Sequence, residues 1–72
     1  MIFKRIRDLR EDADLSQTQM GKILGLTQRS YAYYENGERT IPIETLIALA
    51  KFHKVSVDYI LGLTDIKSPT DK

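Results

Sequence analysis

A chain of 72 residues makes one small domain, near the lower limit at which a single apolar core suffices without metal or disulfide help. With no cysteine, it can have neither a disulfide framework nor a cysteine-containing zinc site, and nothing points to an oxidising compartment. A formal net charge of only +1 excludes a protein that holds nucleic acid by bulk charge alone, so any such binding has to rest on local placement.

Residues 2 to about 13 are the first predicted helix, with Ile2, Ile6, Leu9 and Ala13 on one face and Lys4, Arg5, Arg7, Asp8 and Glu11 mostly outside. Read without further context, Arg10 is another solvated charge. This N-terminal stretch is charged from Lys4 onward and lacks the apolar core of a signal peptide. No later run reaches membrane-spanning length, so a cytoplasmic protein without membrane contact is expected.

Ser16 opens a second helix, its hydroxyl accepting from the backbone near Gln19 while Gln19 reaches back in the capping-box pattern. Met20, Ile23 and Leu24 recur at three- and four-residue spacing and give it a buried face, leaving Gln17, Thr18 and Lys22 more exposed. Gly25 stops the helix, because glycine enters the left-handed conformation without steric penalty. Gly21 lies four residues earlier. Glycine inside a helix costs about 1 kcal/mol relative to alanine, so a close helix crossing is expected to require it. Leu26 is the apolar residue of the turn and Thr27 is the next N-cap.

The third helix runs from about Gln28 to Asn36, where Asn36-Gly37 gives a strong stop. Two helices flanking one glycine form a unit whose second helix can project a row of polar side chains. At roughly 100° per residue, Thr27, Tyr31, Tyr34 and Glu35 share one arc, and Gln28, Arg29, Ala32, Tyr33 and Asn36 share another. The first arc packs through Tyr31 and Tyr34. The second is a poor core face but a good set of base-edge and phosphate partners.

Glu38 to Pro42 is a loop, and Pro42 suits the first turn of a fourth helix because its missing N–H costs nothing there. Ile43, Leu46, Ile47, Ala50 and Phe52 form its apolar stripe, which ends near His53-Lys54. Ser56 caps a fifth helix, Asp58 complements its dipole and Gly62 closes it. The domain is thus expected to span residues 1–63, with 64–72 as a flexible C-terminal tail. Val57, Ile60, Leu61, Leu63 and Ile66 exceed what one small core must bury, making the fifth helix and early tail the candidate homodimer surface. The lone His53 is a packing or capping residue without the partners a metal or catalytic role needs. No cofactor and no enzymatic activity are expected: there is no nucleophile with a paired base, no pocket carboxylate cluster and no phosphate loop.

Leu15-Ser16-Gln17, Met20-Gly21, Leu24-Gly25-Leu26, Thr27-Gln28-Arg29-Ser30 and Tyr34-Glu35-Asn36-Gly37 together resemble the Cro and phage-repressor type of helix-turn-helix domain. Leu46, Ala50, Val55-Ser56-Val57 and Tyr59-Ile60-Leu61-Gly62 extend the resemblance, which covers residues 3 to 62. It implies an all-α, five-helix lambda-repressor-like fold with the helix-turn-helix at helices 2 and 3. The implied function is sequence-specific regulation of transcription on double-stranded DNA, as a repressor. Where the family often has Ser after the proline and Gly at position 54, this chain has Ile43 and Lys54. The family also implies that Arg10 pairs with Glu35 in a structural ion pair, and that Tyr31, Tyr34 and Tyr59 are buried.

Carried over position by position, the resemblance makes Gln28 an adenine or backbone reader and Arg29 a guanine reader or phosphate clamp. Ala32 and Tyr33 become groove contacts, Tyr33 meeting either a thymine methyl or a phosphate. Gln17, Thr27, Asn36, Arg39 and Thr40 become phosphate contacts. One module touches few bases, so a two-fold homodimer on a pseudo-palindrome is implied. Two rivals share the fold: an antitoxin or antagonist-type regulator that mainly binds a protein partner, and an interaction module that has lost DNA binding.

Overall fold

The computed structural model describes residues 3–67. Five helices occupy them: α1 (Lys4–Asp12), α2 (Gln17–Leu24), α3 (Gln28–Glu35), α4 (Ile43–His53) and α5 (Val57–Leu61). There is no strand among the described residues. None of the helices is long and apolar enough to cross a membrane.

Three helices start on a hydroxyl cap. Ser16 Oγ accepts from Gln19 N at 3.0 Å and Gln19 Oε1 accepts from Ser16 N at 2.8 Å, completing the capping box. Thr27 Oγ1 accepts from Ser30 N, and Ser56 Oγ from Tyr59 N, each at 3.0 Å. A cap of this kind contributes about 1 kcal/mol. Phe3 before α1 and Pro42 before α4 provide no side-chain cap.

All five helices end in one way. A residue two or three past the last helical one donates back five residues: Leu15 to Arg10, Leu26 to Gly21, Glu38 to Tyr33, Val55 to Ala50 and Leu63 to Asp58, at 2.7–3.2 Å. This Schellman closure needs a left-handed residue just before the donor. Glycine supplies it at three ends, but Asp14 and Lys54 adopt φ +58° without that freedom. Lys54, at the position where the resemblance led to an expectation of glycine, thus stands in the left-handed conformation.

The core is built from Ile6 and Leu9 of α1, Met20 of α2, Tyr31 of α3, Leu46, Leu49 and Ala50 of α4, and Ile60 of α5. The helices α2 and α3 pack on each other, α1 packs against α5 and α3, and α4 against α2 and α5. Several expected faces shift in phase. Leu49, absent from the expected α4 stripe, is buried, while Ile43, Ile47 and Phe52 are exposed. The buried line runs through Leu46, Leu49 and Ala50, and Ile47 and Phe52 lie roughly 100° or more from Leu46 around the helix. Ile43, in the first turn, lies beyond the edge of the core. In α2, Ile23 is exposed because the buried arc centres on Met20 and Gly21. The first helix is shorter than expected, ending at Asp12, so Ala13 is an exposed C-cap; Ile2 lies outside the described residues. Tyr34 and Tyr59, expected to be buried, are half-buried. Ile60 is a core residue, so it cannot belong to an outward surface, whereas Leu63 and Ile66 are largely exposed.

Residues 64–67, placed in the expected tail, are bonded to the helices. Arg5 Nη1 donates to the carbonyls of Tyr59 and Thr64 at 2.8 and 2.5 Å, and Nη2 to Asp65 Oδ1 at 2.6 Å. The same guanidinium stacks 4.2 Å from the Tyr59 ring centre, and Ser56 N donates to Lys67 O. Residues 68–72 of the expected tail lie outside the described residues. His53 sits half-buried in the last turn of α4, and burial pushes its imidazole pKa down.

Candidate nucleic-acid interface

The angle between α2 and α3 is set by backbone contact at Gly21. A Cβ there would lie 3.0 Å from the Leu26 carbonyl oxygen and 3.1 Å from that of Thr27, so the turn presses directly on the α2 backbone. The close approach that the sequence suggested is thus between α2 and the turn leading into α3. Gly25 is needed for its conformation and not for space: a Cβ there would meet nothing within 4 Å, but φ +74° is a backbone angle that other residues adopt only at a steric cost.

Beneath this turn lies a buried charge. Glu35 is 4% exposed, the only charged residue in the core among those described. Arg10 meets it as a fork: Nε donates to Oε2 at 2.8 Å and Nη2 to Oε1 at 3.1 Å. The remaining Arg10 nitrogen, Nη1, donates to Leu15 O at 2.8 Å, tying the α1–α2 connection into the same site. Burial pushes the Glu35 carboxyl up, but the Arg10 guanidinium, the Tyr31 hydroxyl and the Gln17 amide together outweigh it and hold it below the usual carboxylate range. The buried Tyr31 hydroxyl acts on this carboxylate from close by but outside good hydrogen-bonding geometry, and it has no other partner among the described residues. Burial, then the neighbouring carboxylate, pushes its ionisation up.

From this pair a chain of hydrogen bonds runs to the surface. Gln17 Nε2 donates to Glu35 Oε1 at 3.2 Å, and Gln17 Oε1 accepts from Gln28 Nε2 at 2.8 Å. The half-buried Gln17 amide is therefore oriented by the ion pair, and it orients the exposed amide of Gln28 in the first turn of α3. An amide has two donors and two acceptor lone pairs. Gln28 spends one donor on Gln17, leaving its carbonyl and other N–H for an external partner. Sequence reasoning placed Gln17 at the surface and missed its bond to Glu35. No period in the sequence signals it, since Gln17 and Glu35 lie 18 residues apart and meet only once the turn at Gly25 has folded α3 back on α2.

The other expected contacts separate into three places. Thr27 caps α3: its hydroxyl accepts from Ser30 N and donates to Ser30 Oγ at 3.1 Å. Along α3, Gln28 and Arg29 are exposed and Ala32 and Tyr33 half-buried, with Asn36 exposed at the C-cap. In the following loop Arg39 and Thr40 are exposed, and the Arg39 guanidinium lies 4.3 Å from the centre of the Tyr33 ring. The inward turn of Glu35 also alters the local charge. Across residues 17–40 the exposed ionisable groups are Lys22, Arg29 and Arg39 against Glu38, so this face is more basic than the whole chain's +1 suggests. Among the described residues no cluster of His, Asp or Glu could hold a metal ion.

The fold and this site define a five-helix domain built around a tight helix-turn-helix, with one charged pair beneath it. A family model described as helix-turn-helix matches residues 6–60, and the chain belongs to that family. An uncharacterised helix-turn-helix type transcriptional regulator of Bacillus subtilis, YobD, is 41% identical over 69 residues, which are 96% of this chain and 62% of that protein. The cryptic phage CTXphi transcriptional repressor RstR of Vibrio cholerae is 37% identical over 57 residues, 79% of this chain and 51% of RstR. The chain thus spans about half to three-fifths of the length of these two relatives. Among solved structures, the P22 c2 repressor in complex with a synthetic operator superposes with a TM-score of 0.75 at 31% identity, covering 85% of this chain and 94% of that one.

Proposed function

We propose that the protein is a sequence-specific regulator of transcription that binds double-stranded DNA in the cytoplasm and acts as a repressor, with α3 in the major groove. The observation that carries this reading is the hydrogen-bond chain Glu35–Gln17–Gln28, which presents a fixed, half-satisfied amide at the start of α3. N-terminal residues of the second helix are those that reach base edges in this docking mode. Gln28 is suited to adenine, and the neighbouring Arg29 to guanine O6 and N7. Ala32 leaves space beside them. Gln17, Thr27, Asn36, Arg39 and Thr40 surround this row and serve the phosphates on either side. The likeness to repressors, one of them bound to an operator, supports the same reading.

A two-fold homodimer would give such a short reading head a useful site size. The surface for it comprises Leu63 and Ile66, 72% and 61% exposed, together with the half-buried Val57 and Leu61. Selection of bound fragments from random duplex DNA tests these statements together. The expected outcome is a pseudo-palindrome with half-site centres about 10 base pairs apart. Arg29→Ala should relax preference at one base, worth about 1–3 kcal/mol. Recovery of no enriched sequence, or an Arg29→Ala profile identical in shape to the parent's, would sink the base-reading role.

A further inference from the structure

Tyr33 lies on the outward arc of α3, yet its contacts run along the protein. Its ring carries the Arg39 guanidinium at 4.3 Å from the centroid, well inside the range of roughly 6 Å over which a cation is attracted to an aromatic face. Its carbonyl accepts from Glu38 N at 2.9 Å and from Arg39 N at 3.2 Å. Both ends of Arg39, backbone amide and guanidinium, are therefore anchored to the same residue, across the Gly37 turn.

Resting on the DNA-binding reading above, we infer that Tyr33 is a positioning residue: its ring holds the Arg39 guanidinium ready for a DNA phosphate, and it does not itself read bases. Arg39 is exposed and pairs with no carboxylate among the described residues. The guanidinium carbon sits 4.3 Å from the ring centroid and no carboxylate among the described residues takes its N–H donors, so the fork that matches a phosphate remains available. A free arginine in a loop loses rotamer freedom on binding, and an arginine already laid on a ring loses less. One face of the ring is correspondingly withdrawn from thymine methyls. The loop backbone does not depend on the ring, since its bonds go to the Tyr33 carbonyl, so side-chain substitution at Tyr33 isolates the stack.

The test uses the full chain in two measurements. In the DNA-free protein, the Arg39 δ-methylene and Nε–H resonances should be shifted by the ring current. Tyr33→Leu should abolish the shift and Tyr33→Phe should keep it; an unshifted Arg39 in the parent would overturn the inference. On a selected duplex of about 20 base pairs and on a random-sequence pool, Tyr33→Leu should weaken binding about two- to five-fold on both. Tyr33→Phe should stay within about two-fold of the parent, and Tyr33→Leu should add nothing in an Arg39→Gln background. A Tyr33→Leu loss that persists undiminished beside Arg39→Gln, or that alters preference at one base, would make Tyr33 a base reader and overturn the inference. So would unchanged affinity in Tyr33→Leu while the parent binds. A parent with no salt-dependent affinity for either probe would instead overturn the DNA-binding reading itself, and the inference with it.

Discussion

The α2–turn–α3 unit and the helix α4 are specified in different ways. Both α2 and α3 begin on a hydroxyl cap and are closed by a glycine in the left-handed region, Gly25 directly after α2 and Gly37 just past the Asn36 C-cap of α3, so local chemistry fixes where they start and stop. The longer helix α4 begins at Pro42 with no side-chain cap and ends at Lys54 in that same region. It is held by burial of Leu46, Leu49 and Ala50. A short helix is marginal by itself, and either caps or packing must make up the difference. The segment that presents the polar row relies on caps and on one buried ion pair, which set direction as well as stability. The supporting helix relies on apolar area, which tolerates a poorer end.

The sharpest way to break the contrast is Glu35→Gln, which keeps the shape of the side chain and strands the charge of Arg10. The pair is almost dry, with side-chain exposures of 12% and 2%, so a loss of about 3 kcal/mol is expected. In a domain this small that should lower Tm by more than about 10 °C. Glu44→Gln, in the exposed first turn of α4, serves as the control and should change Tm by little. Thermal unfolding of the two variants decides the matter: equal shifts would mean that the ion pair contributes no more than a surface carboxylate.

The same carboxylate sets an acid limb. Its folded pKa lies below the ordinary 4.5, so its contribution is fully present above the unfolded value. It is lost as pH falls from about 5 through the folded pKa. Stability followed by denaturant titration between neutral pH and pH 3 should therefore decline in the parent. In Glu35→Gln this part of the decline should be missing, the remainder coming from other carboxylates. Parallel profiles would exclude Glu35 as the titrating group.

Gly21→Ala is expected to cost less. Alanine is the better helix former by about 1 kcal/mol, but its methyl would meet two backbone oxygens of the turn at 3.0 and 3.1 Å. Backbone cannot step aside as a flexible side chain can, so strain should exceed the gain and leave a net loss of about 1 kcal/mol. Denaturant midpoints of parent and variant check the sign. A stabilised Gly21→Ala would show that the turn can move away from α2, and that the angle of α3 is not set there.

What could be read from the sequence follows the same division. Ser16, Gln19, Gly25, Thr27 and Ser56 announce helix ends through bonds spanning only a few residues, and those ends were legible. The phase of α4 was not. Ile43, Ile47 and Phe52 are as apolar as Leu46 and Leu49, and only the position of α2 and α5 decides which of them faces inward. The Glu35–Gln17–Gln28 chain and the Tyr33–Arg39 stack were hidden for a related reason. Each joins residues whose separation in sequence carries no period, so it emerges only when the turns at Gly25 and Gly37 bring the partners together.

The smallest expected effect runs the other way, as a gain. At the end of α4, Lys54 holds φ +58° and its neighbour Val55 closes the helix by donating to Ala50 O at 3.0 Å. A non-glycine residue there bears a steric cost of about 1–2 kcal/mol, set against the greater freedom glycine would lose on folding. Lys54→Gly should therefore stabilise by about 0.5–1 kcal/mol and raise Tm by a few degrees. The same change at a residue inside α4, such as Lys51→Gly, should destabilise by about 1 kcal/mol. Opposite signs at two lysines three residues apart would locate the strain in the end of the helix. A loss at both would mean that the Lys54 side chain contributes packing worth more than the conformational relief, and that α4 is better finished than its φ angle suggests.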